Sequence, residues 1–366
     1  TIAVQNQRQP LTFEGTLSAS GAAGVLLNKT GPGMLILNGV NTFATSATIG
    51  LQISQGIVRV NGDAALGAGS HVRLSGGVLS FSESATSSRT LVLTANSSLD
   101  IAPGRTVTLN AATTGAFGIT KTGPGTLFLN ATNTINTLTI GGQPQLDPNV
   151  GRYSGTGGIV ATTAISGTPF ATSTVNISGG ALALIGGAAP QALSIGTITY
   201  SAGAAIGLNM GTTTSTLTLT TALTRGGALP VALLPLLTGV TPGTLYVVPT
   251  DLANLGTTER LLVTAGAPAN TTTGGGDILS TPSIFLRLQT PGDANFARYD
   301  AVGGVMPHSV ATVATLASNA PTNVADILAA DVAGAGTINV QALRTAADIA
   351  PTDATSLIQI ARGGLI

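Results

Sequence analysis

The sequence predicts an all-β chain wound into a solenoid of stacked parallel strands, and three observations carry that expectation. The first is rhythm. Short runs with apolar side chains at alternate positions, such as MLILN (34–38), IVRV (57–60), TLVLT (90–94), TVTLN (106–110) and TLFLN (126–130), recur between Gly, Asn or Pro turns. Alternation at period two specifies strand rather than helix. The second is repetition. The phrase NKTGPGMLILNGVNTF (28–43) returns as TKTGPGTLFLNATNTI (120–135), identical at ten of sixteen positions, with Lys121 lying 92 residues after Lys29. The turn SGG also precedes a strand twice, at 75–77 and 178–180. Repeats at a distance are the signature of a solenoid. The third is composition. Aromatic residues are 3% and charged residues 8% of the chain, against about 25% charged in an ordinary soluble domain. A narrow solenoid core takes small aliphatics, and ladders of Thr, Ser and Asn on the outside make charge unnecessary.

Taken in order, residues 1–229 read as solenoid strands. One loop excursion is expected near 141–172, where Pro144, Pro148 and many glycines break the rhythm. Residues 230–336 read as less regular, elaborated rungs. They contain the polar tract GAPANTTTGGGD (266–277) and the stretch PHSVATVATLASN (307–319), where a short helix is expected because Pro307 suits a first turn. Strand rhythm returns over 337–366. Both ends read as lying inside that rhythm, so an internal piece of a longer solenoid, or a subunit stacked end to end on its copies, is expected.

Within the repeated phrase, Gly31-Pro32-Gly33 and Gly123-Pro124-Gly125 read as tight turns. Pro fixes φ at the first central position and the following Gly supplies φ > 0. Leu35 and Leu37, like Leu127 and Leu129, share one strand face and are expected in the core. Met34, Ile36 and Phe128 then point outward, as a candidate assembly contact or as residues covered by a nearby loop. Asn38, Asn41, Asn130 and Asn133 are expected to form turns, with amides bonding backbone or stacking across rungs. Lys29 and Lys121 are expected to be solvated on the turn.

KTGPGMLILNGVNTF and KTGPGTLFLNATNTI resemble the autotransporter-associated β-strand repeat, whose pattern is roughly K-T-G-x-G-x-L-x-L-x-G-x-N-x-[YF]. SQGIVRVNGDAALGAGSHVRLSGGVLSF (54–81) is similar to the stretch that follows the repeat in such proteins. The likeness covers two segments of about 50 residues. The second departs from the pattern after Thr134. The resemblance implies a right-handed parallel β-helix in a bacterial surface or secreted protein. It brings no catalytic residue.

Composition also excludes function classes. The formal charge is zero and the only lysines are Lys29 and Lys121. Nucleic-acid binding by counterion release needs clustered cations, so it is not expected. With no Cys, there is no disulfide, thiolate metal site or thiol nucleophile. The most apolar run, ALPVALLPLLTGV (228–240), is 13 residues long with two prolines, short of the ~20 that a spanning helix needs. Glycan cleavage would need two converging carboxylates, yet Glu14, Glu83 and Glu259 are the only glutamates. Asp293 and Asp300 flank NFARY and could meet Arg298 and Tyr299, although a polar turn is the simpler reading. His71 and His308 have no evident triad partners. TTGGGDIL (272–279) occurs once, as a loop and not a calcium roll. No enzyme, cofactor or metal is expected. The expected function is an extracellular structural protein that stacks into a bacterial surface filament, sheath or layer, with itself or further solenoid of a longer chain as partner. The alternative is an adhesin that presents loops 141–172 or 266–277 to a surface or glycan.

Overall fold

A computed structural model describes the chain except residues 19–25, 44–48, 142–145, 148–150, 153–157, 164–169, 171–173, 202, 209–215, 227–243, 271–278, 280–283, 288–293, 309–311, 315, 317–323, 328–330, 334–336, 346–347, 352–353, 355 and 366. Strands from successive turns pair in parallel and build three long faces. The first face runs from Ile2–Ala3 through Leu27–Thr30, Ile49–Ile53, His71–Ser75 and Thr90–Ala95 to Thr113–Thr114. The second has eleven strands, from Leu11–Phe13 to Glu259–Val263. The third starts at Ala85–Ser87 and reaches Ile284–Arg287 in parallel pairing. The result is a β-solenoid of about eleven turns. In the later turns the strands lengthen. Gln191–Ser201 and Leu217–Arg225 pair across a register shift between Ile195 and Thr197, the bend expected of a bulged strand.

The core consists of stacked rows. Leu35, Val58, Leu79 and Leu99 are successive register partners, and none is more than 1% exposed. Val107, Leu127, Val160, Leu182, Ile206, Val247 and Leu286 form the corresponding row of the third face. Full burial of each such side chain stabilises the fold by about 1.5–3 kcal/mol.

Three expectations need correction. The excursion over 141–172 is smaller than its glycines suggest. It contains a short antiparallel ladder, Leu146–Asp147 with Gly151–Arg152, but Ile159–Thr163 is a core strand and Phe170 is fully buried. Between 230 and 336 the solenoid continues through Leu245–Val248, Glu259–Val263 and Ile284–Arg287. It then closes with a hairpin, Ala294–Asp300 against Gly304–Pro307, which pairs antiparallel on Ile284–Arg287. Most of the helix expected near 307–319 lies outside the described residues, and within the described part Leu316 alone stands in a 3-10 turn. Pro307 ends the hairpin's outer strand and Thr312–Val313 is a strand. A proline without an N–H is tolerated at a sheet edge, and that role wins here over the helical first turn.

Beyond the hairpin, 337–366 does not rejoin the first stack. Thr312–Val313, Val324–Ile327, Thr337–Thr345 and Leu357–Leu365 form a separate four-stranded parallel sheet. Its own core holds Leu316, Ala325, Ile327, Val340 and Leu343. Among the described residues no helix is long and apolar enough to cross a membrane. The apolar run 228–240 lies outside them.

Candidate functional site: two lysine-centred corners

The repeated phrase makes corners, and the two copies make different ones. In the first, Leu27–Thr30 belongs to the first face and Met34–Leu37 to the second. In the second, Gly118–Thr122 belongs to the second face and Thr126–Leu129 to the third. The phrase therefore encodes a corner and not a fixed place in the turn.

Both lysines are fully buried, which overturns their expected solvation. Lys29 pairs in register with Ile2 and Ile53, and Lys121 with Leu99 and Ile140. Each lysine thus occupies an aliphatic's place in an inward row. Lys29 Nζ donates to the carbonyls of Thr30 at 2.8 Å, Gly31 at 2.7 Å and, one rung on, Gln55 at 3.1 Å. Lys121 Nζ donates to Thr122 O at 2.9 Å and Gly123 O at 2.7 Å. The corner turns carbonyls inward and the ammonium supplies donors to them, Thr30 O accepting also from Val4 N at 3.0 Å. Burial lowers both lysine pKa values to about 8, and for Lys121 the nearby Asp100 carboxylate opposes that shift.

The glycines of the turn also differ from expectation. Positive φ falls on the glycine before the proline, Gly31 (75°) and Gly123 (73°), rather than on Gly33 or Gly125. The second glycine is needed for close approach. A Cβ on Gly33 would stand 2.3 Å from Asn6 O, and one on Gly125 2.5 Å from Ala102 O. A further glycine, one rung on, closes each corner. Gly56 has φ 70° and Gly158 φ 64°. An added Cβ would lie 2.9 Å from Lys29 Nζ in the first case and 2.7 Å from Lys121 Nζ in the second. Backbone bonding is equivalent too. Ile57 N donates to Gly33 O and Ile159 N to Gly125 O, both at 3.3 Å.

Leu35, Leu37, Leu127 and Leu129 are buried. Met34 stands on the outward row beside Ile57, yet it is only 4% exposed, so it is covered and not a free contact. Ile36 and Phe128 are half-buried on outward rows, Phe128 between Thr108 and Ala161. Asn41 links three turns: its Oδ1 accepts from Leu17 N at 2.7 Å, and its Nδ2 donates to Ala65 O at 2.7 Å. Asn133 Oδ1 accepts from Thr113 N at 2.8 Å. Asn130 Nδ2 donates to Asn110 Oδ1 at 3.0 Å, while Asn38 Nδ2 donates to the Glu14 carboxylate.

The described residues considered for catalysis are engaged in structural contacts, with Arg298 close enough to act on the Asp300 carboxylate. Asp300 Oδ1 accepts from Val302 N and Gly303 N and closes the hairpin turn. Those bonds hold its pKa below the ordinary value. Arg298 donates to Pro307 O. Tyr299 Oη accepts from Val263 N and donates to Val263 O. Asp293 and most of 272–279 lie outside the described residues. His71 Nδ1 is 2.7 Å from Ser70 Oγ, a local contact between chain neighbours. Glu259, fully buried, accepts from Thr250 N at 2.9 Å and from Thr250 Oγ1. Among the described residues no three His, Asp or Glu gather as a metal site. No protein family, curated protein or solved structure matches the chain significantly.

Proposed function

We propose that this chain is an extracellular structural protein of a bacterial surface, where solenoid units assemble into a filament, sheath or layer. The observation that carries this reading is the unbroken eleven-strand parallel face. It includes two corners whose lysines are used internally, on backbone carbonyls. Such a rod is stabilised along its whole length by ladders. The likeness of its corner phrase to the autotransporter-associated repeat supports the bacterial surface. The hairpin 294–307 covers one end of the large stack, because Tyr299 bonds Val263 on the second face while Phe296 pairs with Phe285 on the third. Assembly of the large stack is therefore assigned to its sides, through outward residues such as Ile36 and Phe128. Electron microscopy of the purified chain over a range of concentrations tests this. Filaments or sheets with an axial spacing of about 4.8 Å are expected. A monodisperse monomer at every concentration would overturn the reading.

A second reading, an adhesin, draws on the antiparallel ladder at Leu146–Asp147, which leaves the stack between two core strands. Removing 142–157 would then abolish surface adhesion while the thermal midpoint is retained.

A further inference from the structure

The second face changes character along its length. In its early turns the outward positions include Arg59 and Asp100. Over the five strands from Gly118–Thr122 to Leu217–Arg225 two outward rows are small and uncharged, and the next strand, Glu259–Val263, turns Arg260 and Leu262 outward beside Thr218 and Thr220. Thr137 and Thr139, Thr174 and Asn176, Thr197 and Thr199 stand on successive strands in register. Gly118 and Thr120 continue the two rows on one side, Ala222 and Thr224 on the other. Neighbours along a row are one strand spacing apart, about 4.8 Å, and the two rows are about 6.6 Å apart.

These side chains reach solvent: Thr224 is exposed and the other threonines are half-buried by their neighbours. Among the described residues no hydrogen bond ties the hydroxyls of Thr120, Thr137, Thr139, Thr174, Thr197 or Thr199 to another protein group. Behind them Ile119, Leu138, Val175 and Ile198 are at most 3% exposed, so the array stands on a packed and fixed backbone.

A hydroxyl without a protein partner bonds water. Hydroxyls held on a two-dimensional lattice hold that water on the same lattice. The threonine methyls between them offer no competing bond, so water above the methyls can bond only to other water. The spacing along each row lies near the short repeat of the ice lattice, and the ordering entropy has already been spent in folding the rungs. A charged side chain would orient water around itself, and the two rows contain none. A glycan platform would use aromatic rings, and the rows contain none of those either. We propose that this five-strand array binds ice through the water that it orders. The inference does not depend on the assembly reading.

The test is thermal hysteresis of the full chain around a single ice crystal, together with partition into slowly growing ice. The wild-type chain is expected to produce a hysteresis gap and to be enriched in the ice fraction. Thr139→Tyr, at the centre of the array, is expected to lose most of that gap with its thermal midpoint retained. Thr199→Lys is the second variant should the first misfold. Thr108→Tyr, on the third face, is expected to change nothing. A wild-type chain excluded from ice like a size-matched control would overturn the proposal, as would full hysteresis in both array variants. Retention on insoluble cellulose or chitin without ice partition would overturn it in favour of a polysaccharide surface.

Discussion

At Lys29 and Lys121 a charge replaces an aliphatic in a core row, and the reason is the convergence of carbonyls at a tight corner. Lys29→Met keeps the volume but removes the donors to Thr30, Gly31 and Gln55. Thr30 O keeps its bond from Val4 N, but leaving a buried acceptor such as Gly31 O unmet costs about 1–3 kcal/mol, and an unfolding free energy lowered by that amount is expected in urea titration. The pH dependence has a definite sign. The folded pKa, about 8, lies below the ordinary lysine value of 10.5. Between these values the unfolded chain binds more protons, so the lysine contribution to stability is present above 10.5 and is lost as pH falls through about 8. The thermal midpoint of the wild type should therefore rise, relative to the Lys29→Met/Lys121→Met variant, between pH 7.5 and 10. Parallel slopes would refute this. The lysines were legible in part. Leu27 and Lys29, like Ile119 and Lys121, share a face by alternation, so the pattern already put the lysines inside. Chemical habit, which keeps ammonium groups in water, argued the opposite, and only the positions of the carbonyls resolve the conflict.

The corner is the smallest element that carries the fold. It spans two rungs, because Gly56 and Gly158 come from the turn after the phrase. A methyl on Gly158 would meet Gly125 O at 2.4 Å with φ at 64°. Gly158→Ala should destabilise by at least about 1–3 kcal/mol. Gly62→Ala, with open space around the new Cβ, serves as the control and should leave the denaturation midpoint almost unmoved. The hairpin is the second element that matters. Tyr299→Phe removes both bonds to Val263, and a loss of about 1 kcal/mol is expected, with faster amide exchange confined to 294–307. This hairpin was hidden in the sequence. Its strands alternate weakly, and Pro307 suits a helix start as well as an edge strand.

For the whole molecule, the two separate cores predict two unfolding steps, one for the stack through Val305 and one for residues around Leu316–Leu343. A single calorimetric transition would contradict that. The lateral assembly reading predicts that Ile36→Asp with Phe128→Asp abolishes filaments or sheets in micrographs, with strand content by circular dichroism unchanged. Met34→Asp should instead lower stability, since Met34 is covered.

The sequence by itself determined the class of fold, many of the strand positions, the corner phrase and the leucines that fill the core. Those follow from period-two alternation and repetition, which are local and survive without coordinates. Only the tertiary structure decided that the two phrases turn different corners, that the lysines are internal clasps, that 159–163 is core, and that the large stack closes before a second one begins. Each of these depends on which rung lies above which. Rung pairing in the large stack is set by contacts between residues 19 or more positions apart, and no local pattern records it.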